Sequence, residues 1–269
     1  MIYIFLGLSA LAAGVCASVA GWFDTLHALW QVPLCFVGCF VGLVILFLLV
    51  AVVSAMIFKL MPTPERPNPY YRFLADVFCL LILPLAGVRI HVSGTEKMPT
   101  EGRFMLVCNH LFAFDPAIVF YALPGTPMSF ISKKENEKLF LVSDFLRALA
   151  CLSIDRENDR AALKTILTAI ERLKQNKTSI AVFPEGGTSK DGKLAPMRSG
   201  VFKIAQKAQV PIVVCVLDNT PMILKNLFRR RTDVRFDVLG VIEAESYAEM
   251  TTVEIGERVH AMMAQALGE

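Results

Sequence analysis

The run VCNHLFAFDP, residues 107–116, sets His110 and Asp115 five positions apart at the end of an apolar stretch. Histidine is the residue type that titrates near neutrality. A carboxylate on its second ring nitrogen fixes the tautomer and stabilises the imidazolium. Such a pair has the makings of a general base and its orienting acid, able to take a proton from an alcohol. With four histidines and ten aspartates in the chain, this spacing would arise by chance roughly one time in seven, so it gains meaning only from its surroundings. His91 shows the point: Glu96 also stands five positions on, but His91 lies inside VRIHVSG with no further polar motif beside it. It reads as an ordinary strand histidine. Asp115 has a second reading too, because Asp before Pro116 is a helix-start pattern.

Around the pair, other polar motifs each begin where a strand-like run ends. Asn109 and His110 follow FMLVC, Asp155 and Arg156 follow CLSI, and Pro184-Glu185-Gly186-Gly187-Thr188-Ser189 follows SIAVF. Lys193, Arg198 and Gly200 come next, and Pro211 opens another run. Arg156 is a planar guanidinium suited to gripping a phosphomonoester, or else a surface partner of Asp155 or Glu157. Glu185 and the paired glycines suit a tight loop whose backbone N–H groups approach an anion or a thioester oxygen, or else a plain turn.

In this order the motifs resemble those of the glycerolipid acyltransferase family, which comprises lysophosphatidic acid and glycerol-3-phosphate acyltransferases. NHLFAFD matches the family's NH-x4-D signature, and CLSIDR, FPEGG and VPI follow in sequence, a resemblance covering roughly residues 90–220. It implies that His110, Asp115 and Glu185 are catalytic, with His110 deprotonating the acceptor hydroxyl and Asp115 orienting it. It implies substrate contacts from Asn109, Arg156, Gly186, Gly187, Thr188, Lys193 and Arg198. The expected reaction moves an acyl group from acyl-CoA or acyl-carrier protein to the 2-hydroxyl of 1-acylglycerol-3-phosphate, with no metal, no cofactor and no covalent acyl-enzyme. Glycerol 3-phosphate or another lysolipid is the alternative acceptor, and a non-catalytic lipid-binding protein is the alternative of another class. A hydrolase is disfavoured by the lack of a Gly-x-Ser-x-Gly elbow. Two departures stand out. The family's FPEG-Thr-Arg-Ser is FPEG-Gly187-Thr188-Ser189 here, so its second phosphate-gripping arginine is missing, and Lys190, Lys193 or Arg198 would have to supply that charge. Ala150 stands where the family has glycine.

These residues need a scaffold. The chain is 55% apolar and 19% charged, against about 45–50% and 25% for ordinary soluble domains. The excess is local, because Asp24 is the only Lys, Arg, Asp or Glu before Lys59. Segments 2–23 and 32–58 are each long enough for a helical span, which needs about 20 apolar residues. A signal peptide is the rival reading of the first, but it lacks a basic n-region. Lys59, Arg66 and Arg72 follow the second span and no Lys or Arg lies between the two, so the following domain is expected in the cytoplasm. A hairpin dipping into one leaflet is the alternative. The net charge of +3 is too small to argue for nucleic acid, and the scattered cysteines read as buried hydrophobes of a reducing compartment.

MPTPERPNPYY, 61–71, is a proline-rich linker, and 72–88 is a short apolar helix, interfacial or packed on the domain, broken by Pro84. From residue 89, seven short β-branched or aromatic runs alternate with helical patterns, among them Leu163, Ile166, Leu167, Ile170, Leu173 and Ile255, Val259, Met262, Met263, Ala266. The fold class expected is α/β, a mixed, largely parallel sheet flanked by helices and preceded by an N-terminal hydrophobic helical hairpin. The division is 1–60 hairpin, 61–88 linker and helix, 89–269 acyltransferase domain. Ligands bind such sheets beyond the carboxyl ends of the strands, where these motifs fall. Lys133 and Lys134 line the cleft or cap the next helix. LKNLFRRR, 224–231, is a solvated loop or a contact with anionic lipid head groups worth about 1 kcal/mol per cation.

Overall fold

Seven apolar runs of the sequence become the seven strands of one sheet in the computed structural model, which describes residues 1–189, 191–227 and 229–269. The chain divides into two units, Met1–Met61 and Pro62–Glu269.

The first unit is a pair of helices, α1 (Ile2–Val19) and α2 (Ala28–Phe58), of 18 and 31 residues. At 1.5 Å per residue they are about 27 and 46 Å long, enough to cross a hydrocarbon core of about 30 Å. The first ends earlier than its apolar run, and the second starts before Pro33 and carries that proline inside. They pack on one another. Ser9, Ala13 and Ala17 recur every fourth residue as a buried stripe of small side chains that lets two helix backbones come close. Leu8, Leu11, Val15, Val37, Val41, Ile45 and Leu49 are exposed.

The second unit begins with α3 (Pro69–Leu85), started by Asn68, whose side chain accepts the Tyr70 N–H at 3.0 Å, and by Pro69 in the first turn. Pro84 falls in its last turn and does not break it. The helix buries Tyr71, Leu74, Val77 and Leu81 and leaves Phe73, Phe78 and Leu85 exposed. Then follow β1 (Val88–Ser93), β2 (Met105–Cys108), α4 (Asp115–Ala122), β3 (Met128–Lys133), α5 (Val142–Ala148), β4 (Leu152–Ile154), α6 (Asp159–Lys174), β5 (Ser179–Val182), α7 (Lys203–Ala208), β6 (Ile212–Asp218), α8 (Met222–Asn226), β7 (Thr232–Ile242) and α9 (Thr252–Leu267).

The sheet order is β1-β7-β6-β2-β5-β3-β4. From β6 to β4 all neighbours are parallel, whereas β7 runs antiparallel to β6 and parallel to β1. The sheet is therefore mixed and largely parallel. The carboxyl ends of β2–β6 and the amino ends of β1 and β7 share one edge. Alternation along the strands divides the core in two. Leu106, Cys108, Val213, Cys215 and Leu217 face a cluster with Cys79, Leu83, Ile118 and Val119 of α3 and α4. Met105, Val107, Ile212, Val214 and Val216 face Ala169, Leu173, Ile204, Val259 and Met263 of α6, α7 and α9. Both expected helical patterns are present, as α6 and α9.

Arg72 ties α3 to this domain. Its guanidinium donates to Thr126 O at 2.7 Å, Leu123 O at 2.8 Å and Asp76 Oδ1 at 2.9 Å, and lies 4.3 Å from the Phe120 ring centroid. Burial pulls Arg72 below the ordinary arginine range while Asp76 pulls it back. Arg72→Met should cost about 3–5 kcal/mol, because it strands two carbonyls and one carboxylate without their cation. Thermal unfolding in detergent measures this, and a loss below about 1 kcal/mol would contradict it.

Candidate active site

Beyond β2 the chain turns so that Asp115, in the first turn of α4, faces back over residues 110–112. Its Oδ2 accepts from His110 Nδ1 at 2.9 Å, Leu111 N at 2.7 Å and Phe112 N at 2.8 Å. Asp115 is fully buried and does not cap its own helix, so the carboxylate serves the loop and the histidine. A carboxylate at Nδ1 puts the imidazole proton there and leaves Nε2 as the lone-pair nitrogen. The His110 side chain is 16% exposed, so it is not sealed in the core as Asp115 is. Phe183, the last residue before Pro184, stacks on the imidazole with centroids 4.3 Å apart and planes 19° apart. Phe130 stacks in turn on Phe183 at 5.8 Å, so the ring orientation is held from behind.

Glu185 acts on the backbone. Its Oε1 accepts His110 N at 2.6 Å and its Oε2 accepts Ala195 N at 2.8 Å. The Ser189 N–H donates to His110 O at 2.7 Å. Burial lifts the Glu185 carboxyl above its ordinary range against the pull of these two N–H groups. The geometry thus gives Glu185 a positioning part, holding the Gly-rich loop and residue 195 against His110.

Two guanidiniums converge on Gly186. Arg156 Nη1 donates to the Gly186 carbonyl, and a Cβ built on Gly186, whose φ is +78°, would lie 2.5 Å from Arg198 Nε. Glycine at 186 is therefore favoured by the left-handed turn, and a side chain there would also push Arg198 aside. Burial, then the charge of Arg198, holds Arg156 below its ordinary range. Asp155 pairs with Lys134 at 2.9 Å and leaves Arg156 free. Among the described residues neither arginine has a carboxylate at ion-pair distance. Two adjacent guanidiniums without a carboxylate partner make a candidate anion site. The N–H groups of Gly187 and Thr188 have no acceptor among the described residues, whereas Gly186 N is held by Phe183 O at 3.1 Å.

Other expected contacts lie elsewhere. Asn109 is fully buried, its Nδ2 donating to Leu217 O at 2.9 Å and its Oδ1 accepting Leu217 N at 2.7 Å, so it ties β2 to β6 beneath the histidine. Lys193 is exposed, with its backbone N–H on Asp191 Oδ1 at 3.1 Å. Lys190 lies outside the described residues. His91 pairs on the surface with Asp233 at 2.9 Å, away from these motifs. Sequence reasoning passed over Phe183, whose only signal was its place directly before Pro184-Glu185. Ala150 has φ +55°, which explains the family's glycine there.

A family model described as Acyltransferase matches residues 89–218, the span that contains His110, Asp115, Arg156, Glu185 and Arg198. Residues 89–218 are an acyltransferase-family domain. The chain is similar to the 1-acyl-sn-glycerol-3-phosphate acyltransferase of Cocos nucifera, 24% identical over 256 residues, 92% of this chain and 78% of that one. It is 27% identical over 188 residues to the enzyme of the same name from Limnanthes douglasii, covering 68% of this chain and 66% of that one. Its fold resembles the crystal structure of the 1-acyl-sn-glycerophosphate (LPA) acyltransferase PlsC from Thermotoga maritima, with a TM-score of 0.59 and 22% identity over 73% of this chain and 78% of that one.

Proposed function

We propose that this acyltransferase moves a fatty acyl group from acyl-CoA or acyl-carrier protein to the 2-hydroxyl of 1-acylglycerol-3-phosphate, forming phosphatidic acid. The observation that carries the reading is the partly exposed His110 side chain, held at Nδ1 by Asp115, on the same sheet edge as Arg156 and Arg198, which have no carboxylate partner among the described residues. The relatives' names point to the same acceptor.

In this reading the two guanidiniums grip the phosphomonoester, and Nε2 takes the proton of the neighbouring hydroxyl as its oxygen attacks the thioester carbonyl carbon. The imidazolium is stabilised by Asp115. The tetrahedral oxyanion draws on the free N–H groups of Gly187 and Thr188. Collapse breaks the carbon–sulfur bond, and the leaving thiolate takes the proton back from His110. Arg198 supplies the charge that FPEG-Thr-Arg would otherwise carry. The α1–α2 pair embeds in the membrane, and the acyltransferase domain works on its cytoplasmic side, where Lys59, Arg66 and Arg72 follow the second helix.

The deciding assay compares purified protein on 1-acylglycerol-3-phosphate, glycerol 3-phosphate and a lysolipid without a terminal phosphate. The phosphate-bearing lysolipid should react fastest, and equal rates would refute the acceptor assignment. Arg156→Ala and Arg198→Ala should each raise KM for the phosphate-bearing acceptor about 10- to 100-fold, since a charge-assisted hydrogen bond is worth about 1.5–3 kcal/mol. An unchanged KM would remove either residue from the phosphate site.

A further inference from the structure

A second basic feature stands on the same edge of the sheet as His110. Because β1 and β7 run opposite to β6, their amino ends lie beside the carboxyl end of β6, where Asp218 is opposite Arg235. There α8 and the turn after it carry Lys225, Arg229, Arg230 and Arg231, all exposed, and Arg89 is exposed at the start of β1.

The turn has a fixed shape. Buried Asn226 donates from Nδ2 to Thr232 Oγ1 at 3.0 Å and accepts Arg230 Nε on Oδ1 at 2.7 Å. Its carbonyl accepts Arg229 N at 2.8 Å and Arg230 N at 3.0 Å. The end of α3 is fastened to it. Thr232 N donates to Gly87 O at 3.0 Å, and a Cβ on Gly87 would lie 3.8 Å from Arg230 O and Arg231 Cα. The neighbouring carboxylates are engaged, Asp233 by His91 at 2.9 Å and Asp218 by Arg235 at 3.6 Å. Among the described residues no carboxylate lies at ion-pair distance from Lys225, Arg229, Arg230 or Arg231. Phe228 lies outside the described residues.

Apolar side chains are exposed between and beside these cations. Leu224 is 58% exposed, Leu85 at the end of α3 is 41% exposed, and Phe114 beside the catalytic loop is 53% exposed. Phe78 continues the exposed face of α3 from Leu85. Unpaired cations alternating with exposed apolar groups along one edge suit a broad, flat, anionic partner with an apolar interior. We propose that Lys225, Arg229 and Arg231 dock this edge on an anionic bilayer surface, with Leu224 and Leu85 entering the interface. This rests on the membrane-lipid reading of the acyltransferase and deepens it: docking brings the His110 edge to the leaflet that holds the acceptor.

The test uses the full chain in nanodiscs of phosphatidylcholine alone or enriched in phosphatidylglycerol, and compares it with the triple variant Lys225→Gln/Arg229→Gln/Arg231→Gln. Arg230 is kept because Asn226 uses it. A phosphatidylglycerol analogue with a photoreactive head group should label peptides spanning 222–232 in the parent. Labelling should fall several-fold in the variant or in high salt. The KM for bilayer-borne acceptor should rise at least about fivefold in the variant on anionic discs, the effect expected from removing even one surface cation. Turnover of a short-chain acceptor in neutral detergent should match the parent and so report an intact fold and site. Equal labelling of parent and variant overturns the proposal. So does a variant defect confined to the acyl-carrier-protein donor, which would make the patch a carrier dock. If labelling behaves as expected while no lysolipid is acylated, the docking surface stands and the acceptor assignment fails.

Discussion

His110→Ala is expected to lower kcat by about 10²–10⁴, the contribution of a positioned proton acceptor, with KM for both substrates little changed. The variant should fold. The backbone N–H that Glu185 accepts and the carbonyl that receives the Ser189 N–H are kept by alanine, so the Gly-rich loop stays anchored. What is lost structurally is the ring stacked on Phe183, a contact worth about 0.5–1.5 kcal/mol, and the Nδ1 hydrogen bond to buried Asp115, whose Oδ2 keeps its two backbone donors. Single-turnover acyl transfer with saturating donor, beside a thermal melt, separates the two effects. Turnover within a few-fold of the parent would end the general-base assignment, whereas a large stability loss would mean that the ring matters more to the loop than to the chemistry.

The central strands β2, β5 and β6 were legible because, buried on both faces, they read as short continuous apolar runs, and β1 and β7 because apolar residues alternate with polar ones. Helices α6 and α9 were legible because they are long enough to show their period. The short helices α5 and α8 offer too few turns for that. Strand order was not legible, since β1 pairs with β7, more than a hundred residues later in the chain, and no local signal encodes that register. At the site, the His110–Asp115 pair could be read from spacing because both partners come from one loop. The parts of Glu185, Asn109 and Arg198 could not. Each depends on another segment arriving nearby: Ala195 N–H for Glu185, the end of β6 for Asn109, the Gly186 Cα for Arg198. The resemblance gave Glu185 a catalytic part, yet both of its oxygens accept backbone N–H groups.

That arrangement also bears on the departure at FPEG-Gly187-Thr188. A side chain at 187 would meet open space, so glycine is not forced there by crowding. At 186 the left-handed backbone, φ +78°, favours glycine, and Arg198, twelve positions further on, would have to shift to admit a Cβ. Arg198 thus sets a second cation beside Arg156 although the FPEG-Thr-Arg motif is absent.

Asp115→Asn should reduce kcat by about 10²–10⁴ through charge alone. Three donors point at Oδ2, so the asparagine amide is driven to place its oxygen there and keep the bonds to Leu111 N, Phe112 N and His110 Nδ1. The tautomer of His110 is then retained. The amide nitrogen takes the place of Oδ1, a buried atom with no partner among the described residues, so its hydrogens find no acceptor, at a cost of about 1–3 kcal/mol in stability. The missing element is the negative charge that stabilises the imidazolium as the acceptor hydroxyl loses its proton. The rate deficit should therefore shrink for acceptors whose hydroxyl is more acidic, while KM stays near the parent value. A double variant with His110→Ala should be no slower than His110→Ala alone, because asparagine keeps the bonds to the loop and the lost charge acts through the imidazole. A further drop in the double variant, or a deficit indifferent to acceptor acidity, would show that Asp115 serves the loop's shape and not the proton transfer.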